Sequence, residues 1–438
     1  MGHVERLLDA VVYAGFDRLM QLQMKAPVHF PAAAAQQPQV LYIHVPFCES
    51  LCPFCSFHRV LLDAPLAQRY FRALRKELRA VADKGYLPSI VYVGGGTPTV
   101  LPDELVRTLE LARALFPVAQ VSVETNPNHL HEEVFQALES AGVDRLSVGV
   151  QSFDDELLGA MGRYHPYGSG AHILERLQQA QGRFGTLNAD MIFNLPRQGR
   201  ESLQRDIELL RDQVGIDQVS FYPLMASRRT RSAMRRSMGE YSLDNERACY
   251  DLIRDGLDPD YALSSVWCFS RHSGMIDEYI ISDTSYIGVG SGSFSYLGGT
   301  LFANTFSLRR YMQFVDERGT AATAARPLSA LEQARYDLMM TLFGLSLDLP
   351  ALERRHGGGF RRRLWKELLL LRLIGATRRD GERLRLTRRG QYHWVMVMRD
   401  FFTGVNNFRD QMRRHVRAEL DSLLVQAPTA RPQARPAS

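Results

Sequence analysis

The run His44-Val45-Pro46-Phe47-Cys48-Glu49-Ser50-Leu51-Cys52-Pro53-Phe54-Cys55 puts three thiols within eight residues. It follows a short, apolar, β-branched stretch, Val40–Val45, that reads as a strand, so the thiols lie on one loop just past a strand end. Three thiolates on one loop are ligands for three irons of a cubane. Iron–sulfur clusters are normally held by four cysteines, so this loop leaves one iron open to another ligand. A structural zinc site competes, with His44 or His58 as a fourth ligand. Zinc usually draws two ligand pairs from separate turns, whereas this is one tight run with an aromatic, Phe54, directly before the last thiol. The cluster is therefore the stronger reading. The chain has five cysteines, which cannot all pair, and their spacing suits a metal site in a reducing compartment better than a disulfide framework. Cys249 and Cys268 read as buried small apolar residues rather than as a second cluster.

Outward from this loop, the chain alternates short β-branched runs with longer amphipathic segments as far as Tyr222. Strands are expected at Val40–Val45, Ile90–Gly94, Val121–Glu124, Arg145–Val150, Asn188–Phe193 and Gln218–Pro223, with helices such as Leu66–Lys84, Pro102–Leu115 and His131–Ala141 between them. Six parallel strands with crossover helices predict an α/β fold, an open or partial (β/α)6 barrel. In such folds chemistry collects at the C-terminal ends of the strands.

The expected organisation is a leader and linker over 1–39, a core barrel over 40–225, a connecting region that completes the barrel over 226–325, a C-terminal substrate-covering domain over 326–425, and a disordered tail over 426–438. The leader opens helix-like and ends in a Pro/Ala/Gln linker, Pro31–Pro38. After Tyr222 the pattern loosens to about Ser307. Helical periodicity returns at Leu331–Phe343, Leu349–His356 and Leu364–Ile374. With a strand pair around Ala376–Thr387 and Gly390, these resemble a mostly helical, winged-helix-like module. The tail is rich in Pro, Ala and Arg.

Across 438 residues the formal charge is only +5, and no stretch approaches the roughly 18 apolar residues of a membrane span. The N-terminus lacks a signal peptide's sequence of basic, apolar and small residues. These features predict a globular cytoplasmic protein without membrane partners. Arginines cluster at Arg228, Arg229, Arg231, Arg235 and Arg236, and again at Arg361 to Arg363. Either run can meet an anion, but a solvated arginine-rich face is the default reading. No recognition helix accompanies them, so nucleic acid is not an expected partner.

Four further motifs follow the cysteines in order. Val91-Tyr92-Val93-Gly94-Gly95-Gly96-Thr97-Pro98-Thr99 puts glycines at a strand end, where a ligand can approach the backbone. Ser122-Val123-Glu124-Thr125-Asn126-Pro127 puts a carboxylate at the next. Arg145-Leu146-Ser147-Val148-Gly149-Val150-Gln151-Ser152-Phe153 is followed by Gly162-Arg163, and then comes Asp190-Met191-Ile192-Phe193-Asn194-Leu195-Pro196. Each alone has an equally good explanation as a turn, cap or surface residue.

Together with Tyr42-Ile43-His44-Val45-Pro46-Phe47 before the cysteines, they closely resemble the oxygen-independent coproporphyrinogen III dehydrogenase branch of the radical S-adenosylmethionine (SAM) superfamily, over about Val40 to Pro223. The resemblance implies that Cys48, Cys52 and Cys55 hold a [4Fe-4S] cluster whose open iron binds the amino and carboxylate groups of SAM. It places Tyr42 among the catalytic residues, and Tyr42, His44 and Phe54 beside the cofactors. It assigns Gly94, Gly95, Gly96 and Thr97 to the amino group of SAM, Glu124 to SAM, Gln151 and Asp190 to the ribose, and Arg163 to the carboxylate, which suits a guanidinium fork.

By the same resemblance, an electron from the reduced cluster splits SAM into methionine and a 5′-deoxyadenosyl radical, which abstracts hydrogen from substrate or from a second methyl donor. The dehydrogenases carry a fourth cysteine two residues past the third; here that place is Phe57. The related haem chaperones have Asp-Phe-Asn after the last cysteine, of which Ser56-Phe57-His58 keeps only the phenylalanine. The class C methyltransferases fit better. They bind two SAM molecules and include anaerobic haem-opening and cyclopropanating enzymes.

The expected reaction is thus radical C-methylation, with cyclopropanation as a variant, of a tetrapyrrole or another aromatic or unsaturated small molecule. Oxidative decarboxylation of coproporphyrinogen III and haem chaperoning are the alternatives. Tyr222, Trp267 and the run Gly288–Tyr296 are placed near the second SAM and substrate, a structural loop being an equal reading of the run. The Met- and aromatic-rich stretch Trp394–Arg409 reads as core or as a lid over a flat substrate. A monomer supplied by an electron donor such as flavodoxin or ferredoxin completes the expectation.

Overall fold

A computed structural model describes residues 22–24, 28, 30–33, 38–272 and 285–426. The helix-like opening of the leader, the linker residues 34–37 and the tail 427–438 lie outside the described residues.

Six parallel strands form the centre of the sheet: β1 (Val40–Val45), β2 (Ile90–Gly95), β3 (Gln120–Thr125), β4 (Arg145–Gln151), β5 (Thr186–Phe193) and β6 (Gln218–Pro223), side by side in chain order. Their registers start at Val40↔Ile90, Ile90↔Gln120, Ser122↔Arg145, Arg145↔Thr186 and Asn188↔Gln218. Every residue of β1 is buried, as helices on the face and neighbours on both sides require of a parallel strand. The crossovers include α1 (Ala64–Asp83), α2 (Pro102–Leu115), α3 (Glu132–Ser140), α4 (Gly170–Ala180) and α5 (Arg200–Glu208). Helix α1 starts earlier than its apolar period indicates. Asp63 caps it by accepting from Leu66 N at 2.8 Å, and Pro65 occupies its first turn.

The loosened pattern after Tyr222 conceals regular structure. β7 (Cys268–Ser270) pairs antiparallel with β6 on one side of the core. On the other side β8 (Tyr286–Val289) pairs parallel with β1, and the antiparallel run β9 (Phe294–Leu297), β10 (Thr300–Asn304) and β11 (Ala322–Pro327) follows it. Strands this short, interrupted by Gly and Ser, carry too little alternation to be read as strands. The sheet remains open among the described residues, with its parallel centre flanked on each side by added strands.

The glycine-rich run is structural. A Cβ on Gly290 (φ +95°) would lie 2.5 Å from the His44 carbonyl and 2.7 Å from the Tyr70 hydroxyl; one on Gly292 would strike the His58 ring at 2.6 Å. The turn sits directly behind the cysteine loop. Glu77 of α1 holds it there, accepting from Gly290 N at 2.7 Å, Tyr311 Oη at 2.8 Å and Asn304 Nδ2 at 3.0 Å.

After α6 (Arg228–Ser237), α7 (Glu246–Leu257) and α8 (Leu308–Arg318), the chain enters a mostly helical region. Helix α9 (Ala330–Phe343) opens with a Ser329–Glu332 capping box. Strand β12 (Ser346–Asp348), helices α10 (Leu349–Arg355), α11 (Phe360–Arg363) and α12 (Trp365–Leu373), and the hairpin β13 (Thr377–Asp380) and β14 (Arg383–Leu386) follow, with sheet order β12-β14-β13. This is the winged-helix-like arrangement the sequence predicts. The last helix, α13 (Arg388–Gln426), carries the Met and aromatic stripe. Trp394, Val395, Met396, Met398, Phe401, Val405 and Phe408 are buried, and Trp394 Nε1 donates to Met339 O at 3.0 Å. Most of the stripe is therefore core. No helix among the described residues is long and apolar enough to cross a membrane.

Removing the Glu77 carboxylate takes the acceptor from buried donors that include Gly290 N, Tyr311 Oη and Ala321 N. Glu77→Ala should destabilise the protein by about 3 kcal/mol, and Glu77→Gln, which keeps one acceptor oxygen, by less. Urea unfolding of the two variants checks the order.

Candidate active site

The cysteine loop is closed at its base by backbone. Val60 N donates to Pro46 O at 2.7 Å and Leu62 N to Cys48 O at 2.9 Å. The loop is also joined to the glycine turn after β2: Gly96 N donates to Val45 O at 2.8 Å and Thr97 N to Phe47 O at 2.7 Å. Only glycine fits at 96, because a Cβ there would lie 2.5 Å from Phe47 O and 2.9 Å from Cys48 Sγ.

Cys48 and Cys52 are buried and Cys55 is half-buried. Burial, then the neighbouring Cys55, pushes the Cys48 thiol up to about 12. Such a thiol becomes a thiolate only when a metal or cation compensates it. Among the described residues no three His, Cys, Asp or Glu side chains are placed to hold one metal ion, the arrangement a single zinc requires. Phe54 is half-buried against the core.

His44 faces the loop from behind. Its Nε2 lies 2.9 Å from His58 O, which can only accept, so Nε2 carries the proton and Nδ1 accepts from Tyr42 Oη at 2.9 Å. Burial holds the His44 ring down at about 4, hence neutral. Both ring nitrogens are engaged by protein groups, and Gly95, at φ +124°, lets the ring pack against the turn. The His58 ring stacks at 5.6 Å and its Nε2 meets Ser291 Oγ at 3.1 Å.

The strand ends present the remaining groups. Glu124 accepts from Gly95 N and Tyr92 Oη, both at 3.0 Å, and a Cβ on Gly94 would meet its carboxylate at 2.7 Å. Desolvation, then Asp190, raises Glu124 to about 7. Asp190 accepts from Ser147 Oγ and Asn188 Nδ2, both at 2.8 Å, and also bonds Tyr222; burial raises it too. Gln151 occupies the left-handed region at φ +78°, beside a register shift between β4 and β5.

Arg163 reaches back to the cysteines, with Nη1 3.6 Å from Cys52 Sγ and Nη2 donating to Asn126 Oδ1 at 3.2 Å and to Gly149 O. Its guanidinium lies 4.1 Å above the Tyr167 ring, and its Nε is buried without a hydrogen-bond partner. Asn126 Nδ2 donates to Thr97 Oγ1 at 2.7 Å, and Thr97 also bonds Cys48.

Trp267 is only 1 % exposed and packs against Tyr222, Phe343 and Phe402. It is a core residue, held there because it directly precedes β7, which covers β6, and its carbonyl accepts from Phe221 N at 2.8 Å. Cys268 is buried on β7 and Cys249 is half-buried on α7.

Three polar residues have roles that the motifs do not announce. Arg145, fully buried on β4, donates to Gln218 Oε1 at 2.8 Å and Ser122 Oγ at 3.1 Å, and its charge opposes the upward shift of Asp190. An arginine inside an apolar strand is the readable signal. Glu49 is anchored by Asn128 Nδ2 at 2.6 Å and His129 Nε2 at 3.1 Å, tying the cysteine loop to the turn after β3. Arg59 donates to Cys55 O at 3.0 Å and to Cys52 O, and nothing in its sequence context announces this.

Residues 42–210 match the radical SAM superfamily, and the chain belongs to that family. It is 31% identical over 335 residues to the heme chaperone HemW of Mycobacterium tuberculosis, covering 72% of this chain and 83% of the relative. It is 32% identical over 358 residues to an anaerobic coproporphyrinogen III oxidase of Cereibacter sphaeroides, covering 73% and 76%. The fold is shared with coproporphyrinogen III oxidase (HemN) from Escherichia coli, at a TM-score of 0.70 and 24% identity over 85% of this chain and 91% of that one.

Membership implies a [4Fe-4S] cluster and SAM. The residues present fit both: three thiols on one loop, a side-chain-free position beside Cys48 Sγ, and a buried guanidinium next to Cys52 with one donor to spare.

Because the Glu124 carboxyl is raised from 4.5 to about 7 on folding, its stabilising contribution is complete below about pH 4.5 and is lost as pH rises through about 7. In the cofactor-free protein, Glu124→Gln should flatten the loss of stability across that window, measured by urea unfolding at stepped pH.

Proposed function

We propose that this chain cleaves SAM reductively at a cluster held by Cys48, Cys52 and Cys55, and uses the resulting radical chemistry on a tetrapyrrole or related unsaturated small molecule. One observation carries the reading: the buried Arg163 guanidinium beside Cys52 Sγ, with its Nε unpartnered, is a ready seat for a carboxylate lying against the thiols. When bound, the reduced cluster supplies one electron to the sulfonium of SAM, giving methionine and a 5′-deoxyadenosyl radical.

The protein's own groups orient and enclose. In this reading the Gly94–Thr97 turn and Glu124 receive the amino group of SAM, with Glu124 ionised when the ammonium arrives. Asp190 and Gln151 take the ribose, and Tyr42, His44 and Phe54 line or brace the cofactor face. Residues 326–425 cover the substrate. Tyr222, beside Asp190 and half-buried, is the residue we assign to the substrate side. We place the protein in the reducing cytoplasm as a monomer, supplied by a low-potential donor such as flavodoxin or ferredoxin.

Among the reactions open to such a site, radical C-methylation is the one we favour. Phe57 stands two residues past the third cysteine and is 45% exposed, with the Arg409 guanidinium 4.7 Å from its ring. An aromatic platform at this place, rather than a further thiol, suits a flat substrate. Haem chaperoning is the second reading, favoured by the likeness to relatives of that name.

Anaerobic reconstitution with iron and sulfide tests the core of the proposal. Cys48→Ala, Cys52→Ala or Cys55→Ala should each abolish the cluster's visible absorbance, and Arg163→Gln should weaken SAM binding roughly tenfold, the loss of about 1.4 kcal/mol. With SAM, reductant and porphyrin, methylation yields 5′-deoxyadenosine together with S-adenosylhomocysteine. 5′-Deoxyadenosine with loss of carbon dioxide would select the decarboxylase reaction. Stoichiometric haem binding without product would select the chaperone.

A further inference from the structure

Arg59 lies four residues beyond Cys55 and turns back over the loop. One of its guanidinium nitrogens donates to the carbonyls of both Cys52 and Cys55, and the side chain also bonds the Cys55 thiol. Its Nε is buried without a hydrogen-bond partner. A buried guanidinium nitrogen left unpaired among thiols implies a missing acceptor of negative charge.

A second cation arrives from the far end of the chain. Arg413 of α13 donates to Ser56 O at 3.2 Å and to Phe57 O. Ser56 Oγ in turn meets Thr230 Oγ1 at 3.1 Å. Asp410 pairs with Arg413 at 3.1 Å. Burial, together with the neighbouring Arg409 and Arg59 charges, pulls the Arg413 guanidinium below its usual range. The segment from Cys52 to Arg59 is thus gripped by guanidiniums at its middle and at its end.

We propose that Arg59, supported by Arg413, is a positioning residue that stabilises the one-electron-reduced form of the cluster and so sets its reduction potential. The inference rests on the reading that Cys48, Cys52 and Cys55 hold that cluster. Reduction by an external one-electron donor adds one negative charge to a site already bearing thiolates. A fixed guanidinium in a low-dielectric setting favours the more negative state. Hydrogen bonds to the cysteine carbonyls act in the same direction, because they draw electron density away from the ligand loop.

The test is an EPR-monitored redox titration with dithionite on reconstituted wild type, Arg59→Gln, Arg59→Lys and Arg413→Gln, with iron and sulfide content measured for each. Arg59→Gln should hold a full cluster whose midpoint moves to more negative potential, lowering the reduced-to-oxidised ratio at fixed potential about tenfold, or 59 mV. Arg59→Lys should recover most of that shift, and Arg413→Gln should move the midpoint the same way by less.

An unmoved or more positive midpoint in a fully loaded Arg59→Gln overturns the inference. So does an equal shift in Arg59→Lys, which would assign the effect to shape rather than charge. Should Arg59→Gln assemble no cluster, an unmoved midpoint in Arg413→Gln overturns it. A wild type that assembles no cluster would instead overturn the ligand reading on which the inference stands.

Discussion

The site depends on a contact between two backbones. Thr97 N donates to Phe47 O while Gly96 passes over the same carbonyl and Cys48 Sγ with no side chain between. The glycine triplet therefore does more than terminate β2. It lets two neighbouring strand ends come close enough for the first thiol and the turn to form one wall. Any side chain at 96 would separate them.

Behind that wall the support is layered. The neutral His44 ring spans Tyr42 and the carbonyl of His58, so the strand and the far side of the loop are linked through one tautomer. His58 rests on Ser291, and Tyr70 links His44 O to Ser291 N. Glu77 fixes the same turn from α1. The added strands flanking the parallel centre thus brace the cysteine loop as well as extend the sheet.

Much of this was legible in the sequence. The parallel strands were readable because each is largely buried and bounded by helices of clear period, and Pro102–Leu115 was readable to the residue. The cysteine loop and the strand-end motifs were readable because their chemistry needs particular residue types at short spacing. The strands from Cys268 to Pro327 were hidden by their brevity, and the glycine run was ambiguous until its neighbours were known. Glu77 was in principle visible, as an acid on the apolar face of α1 between Leu74 and Val81. Arg59 and Arg413 were not, because 354 positions separate them and only tertiary packing brings both to one loop. The aromatic stripe of α13 illustrates a different limit: helical spacing fixes a face, and only packing reveals that Trp394 meets Met339.

The clasp between α13 and the segment after Cys55 also bears on the order of events during synthesis. Arg413 is synthesised 357 residues after Ser56, the group it holds. Until the last helix docks, the flank at Ser56 and Phe57 lacks its Arg413 contacts, while the rest of the loop is held by its backbone bonds, by the glycine turn and by Glu49, Arg59 and Arg163. Long-range contacts of this kind close late, because chain entropy opposes them until most of the fold exists. Once α13 is seated, Arg413 fastens that flank through the carbonyls of Ser56 and Phe57, so the helix that completes the core also completes the setting of the cysteine loop.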